Sequence, residues 1–123
     1  MFSTTWKSSI KPGKQRKYRL KAPLHIRSKF LAVHLSDDIS KKYSKRSARI
    51  KTGDKVKVIK GQFKGKTGKV ERIDTKTTRI YISGLEFQKK DGTKIRYPVS
   101  PASLVITELD LNDKRRQESL KRR

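Results

Sequence analysis

Cysteine is absent from the 123-residue sequence, so disulfide bonds, thiolate catalysis and zinc sites built from cysteine are excluded. Apolar residues are scarce as well: they make up 32% of the chain, against roughly 45–50% in a typical globular protein. The longest apolar run, residues 30–33, is far shorter than the ~20 residues that cross a bilayer. The first ten residues contain no apolar stretch typical of a signal peptide, so we expect a cytoplasmic or nuclear protein.

Acidic side chains are also in short supply, and their distribution is uneven. The chain has 34 Lys and Arg against 11 Asp and Glu, a net charge of +23, and no acid precedes Asp37. Residues 1–50 alone contain 14 basic and 2 acidic side chains. So much like charge opposes a compact state and calls for an anionic partner such as a nucleic acid. This balance excludes the surface of an ordinary soluble enzyme.

The segment 1–50 reads as a basic N-terminal arm followed by short helices. We expect residues 1–21 to be extended, to be broken at Pro12-Gly13, and to become ordered only on a partner. Aromatic residues, among them Trp6 and Tyr18, lie between the cations of this arm. That mixture suits contact with bases and phosphates together, and a solvated tail is the alternative interpretation.

Two short helices are predicted after the arm. Ile26, Phe30 and Val33 recur at the spacing of one helix face, which predicts an amphipathic helix over residues 23–33. A second helix is expected to begin at Ser36, because a serine can cap it and two aspartates then lie in its first turn.

From Gly53 onward the spacing of apolar residues changes to two, which is typical of strands. Strands are predicted at residues 55–58, 69–73, 79–83, 85–88, 94–97 and 104–106. So many short strands within residues 51–110 predict a mainly β architecture, a small closed barrel. Residues 111–123 then form a basic C-terminal tail, with a short helix capped by Asn112 or Asp113.

Turn signals and an apolar face complete the predicted barrel. Asp91-Gly92 predicts a two-residue hairpin, Pro98 and Pro101 bound a turn, and imperfect alternation within residues 69–73 predicts a bulge. The core is expected to consist of ten apolar side chains: Val56, Val58, Val70, Ile73, Ile80, Ile82, Leu85, Phe87, Ile95 and Val105.

Patterns that suggest catalysis lack the spacing or the neighbouring residues that catalysis needs. The sequence GQFKGKT at residues 61–67 resembles a nucleotide-binding loop, but it has three residues between its glycines instead of four and precedes a strand, not a helix. His25 and His34 have no cysteine or carboxylate cluster near them in sequence, so they form no metal site. Asp37 and Asp38 point in different directions on a helix. We therefore expect no enzyme activity, no cofactor and no metal.

The segment 53–70 carries a recognisable motif. Its sequence is GDKVKVIKGQFKGKTGKV, which reads as a strand, a basic loop with glycines and a second strand. This arrangement resembles a KOW motif, which transcription elongation factors and several ribosomal proteins carry. Further blocks narrow the choice: KAPLHIRSK at 21–29, DGT at 91–93, PASLVIT at 101–107 and LDL at 109–111.

Together these blocks resemble the large-subunit ribosomal protein twenty-four family, in its archaeal and eukaryotic form, called protein twenty-six in eukaryotes. The resemblance covers about residues 15–116 and implies a small SH3-like, KOW-type barrel. Eukaryotic members have one more residue in the KOW loop and a longer C-terminal tail, and bacterial members lack most of the segment that corresponds to positions 1–45. An archaeal source is therefore expected.

The resemblance implies a structural constituent of the large ribosomal subunit. Such a protein binds the 5′ region of large-subunit rRNA near the polypeptide exit tunnel, helps to initiate subunit assembly, and contacts neighbouring large-subunit proteins in the cytoplasm. We expect these contacts with RNA: Arg16, Lys17, Arg19 and Lys21 in the arm; His25, Arg27 and Lys29 in the first predicted helix; Lys45, Arg46 and Arg49 in the linker; and Lys60, Gln62, Phe63, Lys64 and Lys66 in the KOW loop.

Two other functions use similar features. A KOW module of a transcription factor would bind RNA polymerase as a protein partner. It would bind an acidic patch of the polymerase. A histone-like protein would compact duplex DNA without sequence preference. Both differ from the ribosomal interpretation in their partner, so binding to ribosomal particles after a high-salt wash distinguishes them.

Overall fold

The computed structural model describes residues 2–122, and these form a mixed β-sheet with short helices. The strands in this part of the chain are β1 (Ala32–Leu35), β2 (Ser47–Arg49), β3 (Lys55–Val58), β4 (Thr67–Asp74), β5 (Arg79–Gln88), β6 (Lys94–Val99) and β7 (Leu104–Glu108). Their order across the sheet is β2-β1-β7-β3-β4-β5-β6. The pairing of β1 with β7 is parallel, and the other pairings are antiparallel. The predicted mainly β, SH3-like fold class is confirmed.

The sheet is open, so the predicted closure of the barrel is wrong. β2 and β6 lie at the two ends of the strand order, and they do not pair within residues 2–122. The N-terminal segment supplies β1 and β2, and β1 occupies the edge of β7 that closure would need. The division of the chain into residues 1–50, 51–110 and 111–123 stays a prediction.

Short helices flank the sheet in sequence. They are α1 (Pro12–Lys21), α2 (Leu24–Arg27), α3 (Asp37–Tyr43) and α4 (Lys114–Lys121), with 3₁₀ turns at Trp6–Ser8, Ser28–Leu31 and Pro101–Ser103. As predicted, α3 begins after Ser36, and two aspartates occupy its first turn. The N-cap of α4 is Asp113, whose side chain accepts a hydrogen bond from the Arg115 N–H at 3.0 Å. Both predicted helix starts are confirmed, but the Ser36 side chain makes no capping hydrogen bond, so its predicted capping role is wrong.

The N-terminal arm is not extended throughout, because Pro12–Lys21 form α1. Pro12 lies in the first turn, where the missing N–H has no intrahelical partner to lose, so it starts a helix instead of breaking the chain. The side-chain amide of Gln15 donates hydrogen bonds to the carbonyl oxygens of Trp6 at 2.7 Å and Ser9 at 2.6 Å. These bonds tie the preceding 3₁₀ turn to α1, in which no side chain is buried.

The helix predicted over residues 23–33 ends early. Leu24–Arg27 is α-helical and Ser28–Leu31 is 3₁₀, and the chain then enters β1. In β1 the buried side chains of Val33 and Leu35 alternate with exposed neighbours. The prediction failed because the apolar residues of this segment fit the spacing of a helix and also that of a strand. Pairing with β7 and β2 stabilises the strand.

The strands predicted at 79–83 and 85–88 are one strand, β5, which carries a left-handed residue in its middle. Gly84 has φ +85°, and the pairing with β6 shifts in register between Tyr81 and Glu86. The bulge predicted in the second strand is also present, as a register shift in β4 after Val70.

The hairpin predicted at Asp91-Gly92 connects β5 to β6, but its loop is longer than two residues. The Lys89 N–H donates to the Thr93 carbonyl at 2.8 Å, which leaves residues 90–92 in the loop. Pro98 does not bound a turn; it lies within β6, whose place at the end of the sheet tolerates the missing donor.

The core joins side chains from the sheet and from the segments that flank it. The buried cluster comprises Leu31, Val33, Leu35, Ile50, Val56, Val58, Phe63, Val70, Ile80, Ile82, Leu85, Val99, Leu104 and Ile106. Of the predicted core, Ile73 packs half-buried against this cluster, Ile95 and Val105 are half-buried, and Phe87 is 39% exposed. Phe87 was therefore assigned wrongly: it packs edge-on against Tyr97 near the outer end of the sheet.

Candidate nucleic-acid interface

The loop between β3 and β4 is a compact projection that carries predicted contact residues. Its base is closed by two hydrogen bonds: the Val58 N–H donates to the Lys66 carbonyl at 2.9 Å, and the Gly65 N–H donates to the Val58 carbonyl at 2.8 Å. Gly61 and Gly65 have φ of +92° and +90°, a region that favours glycine. The exposed side chains of the loop are those of Lys60, Gln62, Lys64 and Lys66. A fixed backbone thus presents three cations and one amide to solvent.

Phe63 anchors this loop to the core. Its side chain is 7% exposed, and its ring lies 4.9 Å from the Tyr97 ring in an edge-on arrangement. The Lys66 ammonium group lies 5.0 Å from the centre of the Phe63 ring. In this conformation the ring supports the loop from below, and its predicted packing on a sugar or base stays a prediction.

Lys60 and Gln62 line a small cleft beside the loop. The cleft has a volume of about 250 Å³, and Arg79 at the start of β5 lines it with them. Lys64 and Lys66 lie outside this cleft. One part of the loop, with Lys60 and Gln62, therefore forms a wall of the cleft. The other part, with Lys64 and Lys66, faces solvent outside it.

The four predicted contact residues of α1 lie on two faces. Arg16 and Arg19 are three residues apart, so they share one face. Both line a cleft of about 650 Å³ next to the turn between β4 and β5, which we call the arginine cleft. Lys17 and Lys21 are four residues apart and share another face. Both are exposed, and neither lines the arginine cleft.

Arg27 uses its guanidinium within the protein. Its Nε donates to the Ala22 carbonyl at 3.0 Å, Nη1 donates to the Lys76 carbonyl at 2.9 Å, and Nη2 donates to the Leu20 carbonyl. These bonds join the end of α1 to the β4–β5 turn. The role of Arg27 that the structure supports is to hold these segments together.

Lys29, Lys45 and Arg49 come together at another cleft, although Lys29 lies in the first predicted helix and the other two lie in the linker. This cleft has a volume of about 620 Å³ and is lined on its other side by α4, including Arg115. The Lys45 ammonium group donates to the Ser119 carbonyl at 2.6 Å, so it bridges the linker and α4. His25 and Arg46 are exposed and line neither this cleft nor the arginine cleft.

Further basic residues, which the sequence does not single out, line the same clefts. They are Lys51, Lys76, Arg79, Arg115 and the buried Arg116. Charge was the one signal that could have found them, and 34 side chains share it. Which cations meet depends on contacts between segments that are far apart in sequence.

Hydrogen bonding orders the β4–β5 turn at the rim of the arginine cleft. Asp74 Oδ1 accepts hydrogen bonds from the backbone N–H groups of Lys76 at 3.0 Å and Thr77 at 3.4 Å. A hydrogen bond from the Thr77 side chain, aided by these backbone bonds, lowers the pKa of Asp74 below its ordinary value of 3.8. The carboxylate stays ionised at neutral pH and fixes the turn.

The described part of the chain offers basic surfaces and no metal-binding cluster. Within residues 2–122, no three His, Asp or Glu side chains group so that they could hold a metal ion. In the same range, no helix combines the length and the apolar character needed to cross a membrane. What the arrangement can do chemically is bind anions, through exposed cations on loops, helices and cleft walls.

Comparison with known proteins agrees with this chemistry. The profile of the family described as "Ribosomal proteins L26 eukaryotic, L24P archaeal" matches residues 9–123. The chain is 44% identical over 115 residues to "Large ribosomal subunit protein uL24" of Methanosphaera stadtmanae, which covers 94% of this chain and 98% of that protein. It is also 44% identical over 114 residues to the protein of the same name from Methanosarcina barkeri, with 93% and 98% covered.

A third relative, the protein of that name from Methanocella arvoryzae, is 43% identical over 116 residues, 94% of each chain. The match thus spans the sheet, the basic loop and α4 together, and the relatives are archaeal. The chain belongs to the ribosomal protein family that comprises eukaryotic L26 and archaeal L24P.

Proposed function

We propose that this protein is a structural constituent of the large ribosomal subunit, without enzyme activity. It binds the 5′ region of large-subunit rRNA near the polypeptide exit tunnel, helps to initiate subunit assembly, and contacts neighbouring large-subunit proteins in the cytoplasm. Three archaeal relatives carry the name of a large-subunit protein, which supports a place for this protein in the large ribosomal subunit. The identity of the RNA region rests on the family resemblance.

The observation that carries the proposal is the excess of exposed cations on a rigid sheet. The net charge is +23, and the KOW loop holds three of its lysines in solvent on a backbone closed by hydrogen bonds. Each cation that neutralises a phosphate releases a counterion, and many such contacts sum to tight binding. Folded RNA is recognised by the shape of its backbone, so a fixed array of cations also gives specificity.

Salt dependence tests this mechanism. We expect the logarithm of the affinity for a 5′-region rRNA fragment to fall with the logarithm of salt concentration with a slope of roughly −4 to −5, if about six phosphates are neutralised. Replacing the three loop lysines 60, 64 and 66 with alanine is expected to flatten the slope by about 2. A slope near zero for the wild-type protein contradicts the proposal.

The matched control removes the same number of cations elsewhere. Lys55 and Arg96 each lie beside a glutamate, at 3.7 Å and 3.0 Å, and Lys94 is exposed on β6. Changing all three to alanine alters the net charge equally. A smaller effect of this variant than of the loop variant supports the loop as a contact surface. Equal effects indicate attraction by overall charge alone.

Association with particles tests the cellular role. We expect the protein to sediment with large ribosomal subunits after a high-salt wash, and to compete poorly for duplex DNA. Recovery in the supernatant, or equal binding to duplex DNA, counts against a ribosomal role and favours a nucleoid or polymerase partner.

A further inference from the structure

We propose that the arginine cleft, between α1 and the β4–β5 turn, is a nucleotide-binding site, which holds one unpaired nucleotide of an RNA strand. The site deepens the proposed RNA-binding function and rests on it. It adds contact residues from the β4–β5 turn and β5 that the sequence does not single out.

Charge defines the ligand as an anion. The basic residues that line the cleft are Arg16, Arg19, Arg27, Lys76 and Arg79. Among residues 2–122, no acidic side chain lines it. Arginines suit the phosphate of a nucleotide because a guanidinium can donate two parallel hydrogen bonds to it.

Shape selects an unpaired nucleotide over a duplex. The cleft volume of about 650 Å³ lies in the range of roughly 300–1,000 Å³ that is typical of small-molecule pockets. A paired helix presents its backbone outward and keeps its bases inside, so no base of a duplex can enter the cleft. A nucleotide that is splayed out from a loop or bulge can enter it and is the usual target of sequence-specific RNA recognition.

The cleft has one wall, the β4–β5 turn, that is ordered before any ligand arrives. Arg27 spans its two walls, because its Nε donates to Ala22 and its Nη1 to Lys76, at 3.0 Å and 2.9 Å. Asp74 orders the turn that forms the second wall. The ordered turn loses little conformational entropy when the site binds.

The remaining arginines are free to act on the ligand. Arg16 and Arg79 are exposed, and within residues 2–122 their side chains make no hydrogen bond or ion pair. The Arg19 guanidinium lies 5.7 Å from the centre of the Phe30 ring, and the Trp6 ring packs edge-on against Phe30 at 5.7 Å. A guanidinium supported in this way offers a planar group on which a base can stack.

Hydroxyl groups complete the lining. Thr77, Thr78 and Ser100 lie in the same cleft as the arginines. A hydroxyl can donate to or accept from a ribose 2′-OH, the group that distinguishes RNA from DNA. The chemistry of the cleft therefore matches the three parts of a ribonucleotide.

A tethered probe tests where RNA lies. Because the chain has no cysteine, Ala102→Cys places a unique thiol at the cleft, where Ala102 is an exposed lining residue. An iron chelate attached to this thiol generates hydroxyl radicals that cut nearby RNA. We expect cuts in the bound 5′-region rRNA fragment to centre on unpaired nucleotides. Cuts confined to paired segments overturn the proposal.

The control thiol lies at the other end of β5. Lys90→Cys is in the exposed β5–β6 loop, and the ten-residue β5, which begins at Arg79, spans up to about 30 Å. We expect this probe to cut a different set of nucleotides. The same cutting pattern from both positions also overturns the assignment of the cleft.

Affinity measurements test the arginines. The double variant Arg16→Ala/Arg79→Ala is compared with Lys55→Ala/Arg96→Ala, which removes two cations that lie beside glutamates. We expect the first variant to lower the salt slope by roughly 1.4 and to weaken binding about tenfold at about 0.15 M salt, as two fewer released counterions require. Urea unfolding checks that both variants are folded.

The outcomes separate the two proposals. If the wild-type protein fails to bind the rRNA fragment, the proposed function fails. If it binds with a steep salt slope while the two double variants weaken binding equally, the cleft proposal fails and the proposed function stands.

Discussion

Arg116 of α4 and Asp54 before β3 form a bidentate ion pair inside the protein. Nη1 lies 2.5 Å from Oδ1 and Nη2 lies 2.6 Å from Oδ2, and the two side chains are 7% and 0% exposed. Arg116 also donates to the carbonyl oxygens of Asp110 at 2.9 Å and Arg49 at 3.0 Å. Asp54 accepts further hydrogen bonds from the N–H groups of Lys51 and Asp110. The pair therefore fastens the C-terminal helix to the sheet with its hydrogen-bonding groups well satisfied.

Arg116→Ala is expected to destabilise the protein strongly. The change leaves the buried Asp54 carboxylate without its partner, which lowers the free energy of unfolding by about 3–5 kcal/mol. Urea denaturation monitored by circular dichroism measures this loss. The control is Arg115→Ala, an exposed neighbour, which should change the free energy by less than about 0.5 kcal/mol. Similar free energies of unfolding for the two variants would show that the ion pair contributes little to stability.

Gly68→Ala is expected to destabilise the contact between β4 and β5. A Cβ at this position would lie 2.6 Å from both Ile82 Cγ2 and the Ser83 carbonyl oxygen, so the strands must separate. Crowding of this kind costs about 1–3 kcal/mol of unfolding free energy. Gly13→Ala in α1 is the matched control. The added Cβ would have no neighbouring side chain or strand within 4 Å, and alanine favours a helix. A stable Gly68→Ala protein would contradict the close strand contact.

Stability should fall in acid partly through Asp113. A hydrogen bond from the Lys51 side chain, followed by one from the Arg115 N–H, lowers the pKa of Asp113 below 3.8. A lowered pKa stabilises the folded state above about pH 3.8, and this contribution is lost as the pH falls through the folded value. We expect Asp113→Asn to be less stable than wild type at pH 7, and the difference to shrink below pH 3.8. Urea midpoints across this range measure it, and a constant difference would contradict the assignment.

Helix α1 is expected to be marginal in the free protein and ordered on RNA. It has ten residues, none of them buried, and no acid in its first turn, while its first residues follow Lys11. Helices this short are marginal without tertiary packing, and cations near the N-terminus oppose the helix dipole. Hydrogen exchange should show weak protection of its amides in the free protein and at least tenfold stronger protection with the rRNA fragment. Free-state protection equal to that of Val56 would refute this expectation.

Local signals sufficed for the part of the fold that carries the KOW loop. Val56 and Val58 alternate with lysines, and glycines mark both ends of the loop, so strand, loop and strand could be predicted together. The loop cations could be predicted for the same reason, because a short loop between paired strands leaves its polar side chains in solvent.

The rest of the fold depends on contacts between residues that are distant in sequence. In β7 the run Leu104, Val105 and Ile106 is apolar throughout, so no alternation reveals its inner face. Pairing with β3 sets that face: Ile106 lies opposite Val56, and Val105 opposite Lys57. Val105 is therefore only half-buried, which the local sequence could not predict because it does not show this register.

The clefts could not be predicted for a similar reason. Arg16 and Arg79 line the same cavity although they lie far apart along the chain. Arg27 connects to Lys76 across 49 residues, and Arg116 to Asp54 across 62. Charge alone gives no indication of which arginine holds the protein together and which one faces a partner.

The place of β7 has a consequence for folding during synthesis. It lies between β1 and β3, and Ile106 pairs with Leu35 on one side and Val56 on the other. β1 and β3 are therefore joined only after β7 has been synthesised, well after both of them. Until then the edges of β1 and β3 that β7 will cover are available to chaperones or to wrong pairings.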